Sequence, residues 1–87
     1  MNIENYLVNE LGYKILKKDN NHLTLQTNNP DIKLEVTLEN DPKPSTVAII
    51  DRNSSNKYCE YSIFELANLQ KVLFIYNLIE KQPIKFI

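Results

Sequence analysis

Residues 32–39 read Ile-Lys-Leu-Glu-Val-Thr-Leu-Glu, the most regular alternation in the chain. Successive side chains of a strand point to opposite faces, so Ile32, Leu34, Val36 and Leu38 share one face and Lys33, Glu35, Thr37 and Glu39 the other. A strand with one apolar and one wet face belongs to an antiparallel sheet covered on a single side.

Upstream, Asn28-Asn29-Pro30-Asp31 is a turn, and before it Leu23, Leu25 and Thr27 alternate with His22, Thr24 and Gln26. Asp19-Asn20-Asn21 supplies residues that tolerate a tight hairpin, returning to Tyr13, Ile15 and Lys17 alternating with Lys14, Leu16 and Lys18. Ile3, Tyr6, Leu7 and Leu11 fall at helical spacing after a capping Asn2, and Gly12 stands where a left-handed C-cap belongs. Downstream, Pro42 and Pro44 break the sheet, Val47-Ala48-Ile49-Ile50 reads as a strand buried on both faces or an inner strand with small Ala48 turned outward, and Asn53-Ser54-Ser55-Asn56 turns into a last strand. Ser62-Ile63-Phe64-Glu65 matches a capping box, which opens a helix that Pro83 stops.

These signals predict a helix over 2–11, strands over 13–18, 22–28, 31–39, 45–52 and 57–61, a helix over 63–82 and an apolar tail over 83–87. The class is α+β: a two-layer sandwich in which a meander of about five antiparallel strands carries a short N-terminal and a long C-terminal helix on one face. The 87 residues are expected to form one domain. The long helix, at about 1.5 Å per residue, would cross the whole sheet.

Composition narrows function. Hydrophobic residues at 43% and charged residues at 24% are those of a globular chain, and ten Lys and Arg against eleven Asp and Glu lack the positive excess that drives phosphate-backbone binding. Nucleic acid is not the expected partner. The one cysteine, Cys59, allows no internal disulfide, and the N-terminus has no basic start or small-residue cleavage site; both point to the cytoplasm. Val72–Ile79, interrupted by Asn77, falls far short of the roughly 20 apolar residues of a membrane span.

No constellation of reactive residues stands out. Cys59 and His22 are the sole thiol and imidazole and lie on different predicted strands, so a nucleophilic pair is the weakest reading. One His and one Cys make no zinc set, Glu35 and Glu39 are about 13 Å apart along a strand, and Asp51 with Glu60 is flanked by Arg52 and Lys57. With Gly12 the only glycine there is no phosphate loop. Neither catalysis, cofactor nor metal is expected. Tyr13, Lys14, Lys17 and Lys18 form the only basic cluster, a minimal platform for a nucleic-acid-associated regulator.

The last helix is more informative. Leu66, Leu69, Leu73 and Tyr76 make one stripe, Val72, Ile75 and Ile79 widen it, and Phe64, Ala67, Phe74 and Leu78 lie beyond it. That arc exceeds one sheet contact. Ile84, Phe86 and Ile87 add apolar residues to the tail. The expected function is therefore a non-catalytic protein-binding domain that covers a larger protein or self-associates, with Phe64, Phe74, Leu78 and Phe86 as anchors. A small domain rich in Asn, Lys and Ile would suit a bacteriophage or mobile element blocking a host protein such as a nuclease. In that version Asp31, Glu35, Glu39 and Asp41 would mimic phosphate.

Overall fold

A computed structural model describes residues 2–38, 44–53 and 56–79. Five strands, β1 (Lys14–Asp19), β2 (His22–Gln26), β3 (Ile32–Thr37), β4 (Ser45–Asp51) and β5 (Lys57–Ile63), form a sheet in the order of the chain. Every neighbouring pair is antiparallel. The fold is the expected α+β meander with a helix at each end.

The N-terminal helix starts as α1 (Ile3–Asn5), capped by the Asn2 side chain, which accepts from the Asn5 N–H at 2.8 Å. It continues as a π-helical turn over Tyr6–Glu10, in which the Leu11 N–H reaches back five residues to the Tyr6 carbonyl. Gly12 follows at φ +76°, the left-handed position read from its sequence. Asn20 takes positive φ in the two-residue β1–β2 turn.

Register fixes the two faces. Leu23, Leu25, Leu34, Val36, Val47, Ile49 and Ile63 line one side, where Ile3, Tyr6 and Leu7 from the first helix and Leu69, Val72 and Leu73 from α2 (Leu66–Ile75) bury them. On the other side Ala48 and Ile50 of β4 are also buried, at 2% and 5% exposure. Pairing sets Ala48 between Glu35 and Glu60 and Ile50 between Lys33 and Lys57 on that face. The continuous apolar run of β4 is thus an inner strand buried on both faces.

Three features differ from the sequence expectation. Leu16 is an extra residue in β1, since Ile15 pairs with Leu25 and Lys17 already pairs with Thr24. The bulge turns Lys17 to the open face and brings Lys18 beside Leu23 on the core side, where its ammonium meets Glu4 at 2.9 Å and ties β1 to α1. Second, Ser62 is in β5, opposite Thr46, and cannot cap a helix. The box lies three residues later: Glu65 is the N-cap, and the Asn68 side chain accepts from the Phe64 and Glu65 N–H groups at 3.1 and 3.0 Å.

Third, α2 ends at Ile75, well short of residue 82. Asn77 takes the left-handed conformation at φ +58°, its N–H bonds to the Phe74 carbonyl, and the Leu78 N–H bonds to the Leu73 carbonyl at 2.8 Å. This is a Schellman stop, closed by burial of both Leu73 and Leu78 in the core. A helix of ten residues is about 15 Å long, half the expected span. Tyr13 locks this end, its hydroxyl donating to the Leu78 carbonyl at 2.7 Å.

Candidate functional site

The expected site residues are dispersed by this architecture. Glu35 lies on the open face, its carboxylate 3.1 Å from His22 Nε2, while Thr37 Oγ1 stands 3.2 Å from the other ring nitrogen. Asp31 is in the β2–β3 turn, and Glu39 and Asp41 lie outside the described residues. The described part of the phosphate-mimic set is therefore two carboxylates, Asp31 and Glu35, of which Glu35 already has His22 as a partner. Phe86 is likewise outside the described residues. Leu78 is a core residue at 1% exposure and offers nothing to an interface.

The Tyr13 cluster also separates. Tyr13 is buried, and burial, then Tyr6, pushes its hydroxyl up to about 12. Its ring is not available to stack on a base. Lys18 is engaged by Glu4 and Lys17 lies 3.7 Å from Asp19, leaving Lys14 on the open face. A different basic arrangement emerges from the register. Lys14, Gln26, Lys33, Ile50 and Lys57 are successive partners across all five strands, so three lysines share one transverse row. Arg52 adjoins it, donating to Gln26 Oε1 at 2.9 Å. Residues so far apart in sequence come into line only through pairing, which is why the row has no local signature.

Cys59 and His22 do not meet. His22 is on the open face, whereas Cys59 pairs with Ile49 and faces the core side. Asp51 and Glu60 are likewise on opposite faces, partnered with Ile32 and Ala48. The real neighbours of Cys59 are tyrosines. Its Sγ is 2.9 Å from Tyr76 Oη, which is 3.2 Å from Tyr61 Oη, and the two rings meet edge to face at 6.4 Å. Hydrogen bonds to Tyr61 and Tyr76 hold the thiol below its ordinary range, while the bond to Cys59, then that to Tyr61, pushes the Tyr76 phenol far up. The group fastens β5 to the end of α2. Among the described residues no three His, Cys, Asp or Glu side chains converge as a metal site would require. No described helix is long and apolar enough to cross a membrane.

Exposed apolar side chains concentrate elsewhere. Phe64 is 73% exposed, Ile75 58%, Tyr58 55% and Phe74 36%, all within β5, α2 and the bend between them. Leu16 in the β1 bulge is the only other large hydrophobic of this kind among the described residues. The buried stripe of α2, Leu69, Val72 and Leu73, turns Phe74 and Ile75 outward. Tyr58 is the extra residue of a second bulge, between the pairs Ile49–Cys59 and Ile50–Lys57. Lost hydration, then the Asp51 carboxylate it hydrogen-bonds, then Asp31, raises its hydroxyl above the usual phenol range. The exposed surface is therefore the outer border of β5 together with the outward face of α2.

No protein-family model matches the chain, and neither the curated proteins nor the solved structures yield a match.

Proposed function

We propose that this chain is a non-catalytic contact domain that works by applying the β5–α2 side of the molecule to another protein surface. The observation that carries this reading is the confinement of Phe64, Phe74, Ile75 and Tyr58 to one stretch of chain, each more than a third exposed while the core beneath is closed. Exposed aromatics cost solubility, and grouped on one side of a small domain they have the composition of an interface centre. The closed core also means that this surface is not needed for folding. A role in blocking a host factor, such as a nuclease, is the finer form of the same reading.

Affinity capture from the native host lysate tests it, with the chain as bait and Phe74→Asp as the paired control. The expected result is a protein retained by the wild type and lost by the variant, while circular dichroism reports the same fold for both. Equal recoveries on the two baits contradict the assignment of the surface. Salt separates modes of contact: an apolar interface holds as ionic strength rises, whereas one led by the Lys14–Lys33–Lys57 row weakens steeply.

A further inference from the structure

We propose that the open face of the sheet binds a phosphate dianion, free or as the end of a small phosphomonoester, through Lys14, Lys33 and Arg52 grouped around Gln26. Gln26 is the centre of a cross-strand set: Lys14 of β1 is its partner on one side and Lys33 of β3 on the other. Directly opposed residues of antiparallel strands have Cβ atoms about 4.5–5.5 Å apart, so both lysines stand beside the same amide. Arg52 reaches that amide from beyond β4, its Nη1 donating to Gln26 Oε1 at 2.9 Å. The amide is itself fixed, since Gln26 Nε2 lies 2.9–3.1 Å from the Thr27, Asn29 and Ile32 carbonyls. A guanidinium carries a planar fork of five N–H donors, and the one neutral acceptor at Gln26 leaves most of them unspent.

These three cations are set apart by the pairing of the others. Among the described residues Lys17, Lys18 and Lys57 each meet a carboxylate, those of Asp19, Glu4 and Glu60, at 2.9–3.7 Å, and Glu35 is taken by His22. Lys14, Lys33 and Arg52 form no ion pair with any described residue, and Lys71, on α2, is the one other described cation of which that is true. Two acids share this end of the sheet. Asp51 hydrogen-bonds the Tyr58 hydroxyl, and Asp31, whose carbonyl accepts from the Arg52 N–H at 3.0 Å, acts on that same hydroxyl. Like charges gathered on neighbouring strands are unfavourable, a cost that a bound anion removes. Arginine matches phosphate with two parallel N–H donors, and lysines add point charge from either side. A phosphomonoester presents nearly two charges on three oxygens, which suits cations arriving from three strands better than a carboxylate or a phosphodiester does. The site lies on the face away from both helices, so it stands or falls separately from the β5–α2 contact surface.

Heteronuclear NMR of the full chain, titrated near neutral pH with inorganic phosphate in place of chloride at constant ionic strength, tests this. Saturating shifts are expected at the Gln26 side-chain amide and at Lys14, Lys33 and Arg52, with half-saturation in the millimolar range. Shifts that stay linear in phosphate, or that are as large around Lys71, overturn the site. Arg52→Gln should weaken binding about tenfold, and Lys33→Gln and Lys14→Gln by smaller factors. Asp31→Asn, which removes the acid nearest Arg52 along the ladder, should tighten it, and Lys71→Gln should leave it unchanged. Should Arg52→Gln lose its fold, the two lysine variants carry the comparison. Equal affinity in the wild type and in every folded variant of the three cations overturns the assignment. Adenosine monophosphate distinguishes the sources: shifts at the same residues assign the site to a phosphomonoester end, and binding of inorganic phosphate alone assigns it to the free ion. A dinucleotide whose only phosphate is a diester should bind more weakly than either, and binding as tight as theirs overturns the preference for a dianion.

Discussion

Two buried or half-buried tyrosines carry testable chemistry. The Tyr13 hydroxyl donates to the Leu78 carbonyl beneath the end of α2, so Tyr13→Phe leaves that carbonyl without this partner. The expected loss is about 1–3 kcal/mol in urea unfolding. Because Tyr13 is raised from 10.0 to about 12 in the folded chain, its unfolded form ionises first. Its contribution is therefore complete below about pH 10 and fades as pH rises through about 12. The phenylalanine variant should lack that component of alkaline destabilisation. At Cys59 the sign is opposite: donors at Tyr61 and Tyr76 favour the thiolate. Tyr76→Phe should raise the thiol titration and slow its reaction with a disulfide reagent near neutral pH. A rate unchanged or faster in the variant would show that the phenol does not activate the thiol.

At the scale of elements, the two ends of α2 are set by asparagines. Asn77 occupies the left-handed C-terminal position, so Asn77→Gly should be neutral or slightly stabilising, whereas Asn77→Val should cost about 1–2 kcal/mol in chemical denaturation. Asn68→Ala removes the acceptor for two N–H groups at the helix start and should cost about 1 kcal/mol. These positions also show what was readable beforehand. Alternation over Ile32–Leu38 and the turn chemistry at Asp19–Asn21 and Gly12 were legible because each is local. The end of α2 was not, since Val72–Ile79 stays apolar across Asn77 and only backbone conformation distinguishes a stop from a polar residue in a helix. The Leu16 bulge was hidden for a similar reason: Lys17 and Lys18 are chemically identical, so sliding the alternation by one residue changes nothing in the sequence. Three-residue spacing at Ser62–Glu65 imitated a cap that the chain places at Glu65–Asn68.

For the whole molecule, sheet order brings Lys14, Lys33 and Lys57 into one row and Cys59 to Tyr76, juxtapositions set by register and packing over many residues. Of the anchors read from the last helix, Phe64 and Phe74 are exposed and Leu78 is core, because a helix stopped at Ile75 folds the chain back and buries the residue just beyond it. Among the described residues the other large exposed hydrophobics follow β5 and the outward side of α2, apart from Leu16, which lies in the bulge among lysines on the opposite edge. On the proposed reading, a molecule built this way would meet other proteins at one edge. Amide hydrogen exchange, compared between the free protein and its complex with a captured partner, tests that most directly, with β1 as the internal reference edge. Exchange across Cys59–Ile63 should slow in the complex while β1 stays unchanged. Equal exchange at both edges in both states would contradict the assignment of β5 as the contact edge.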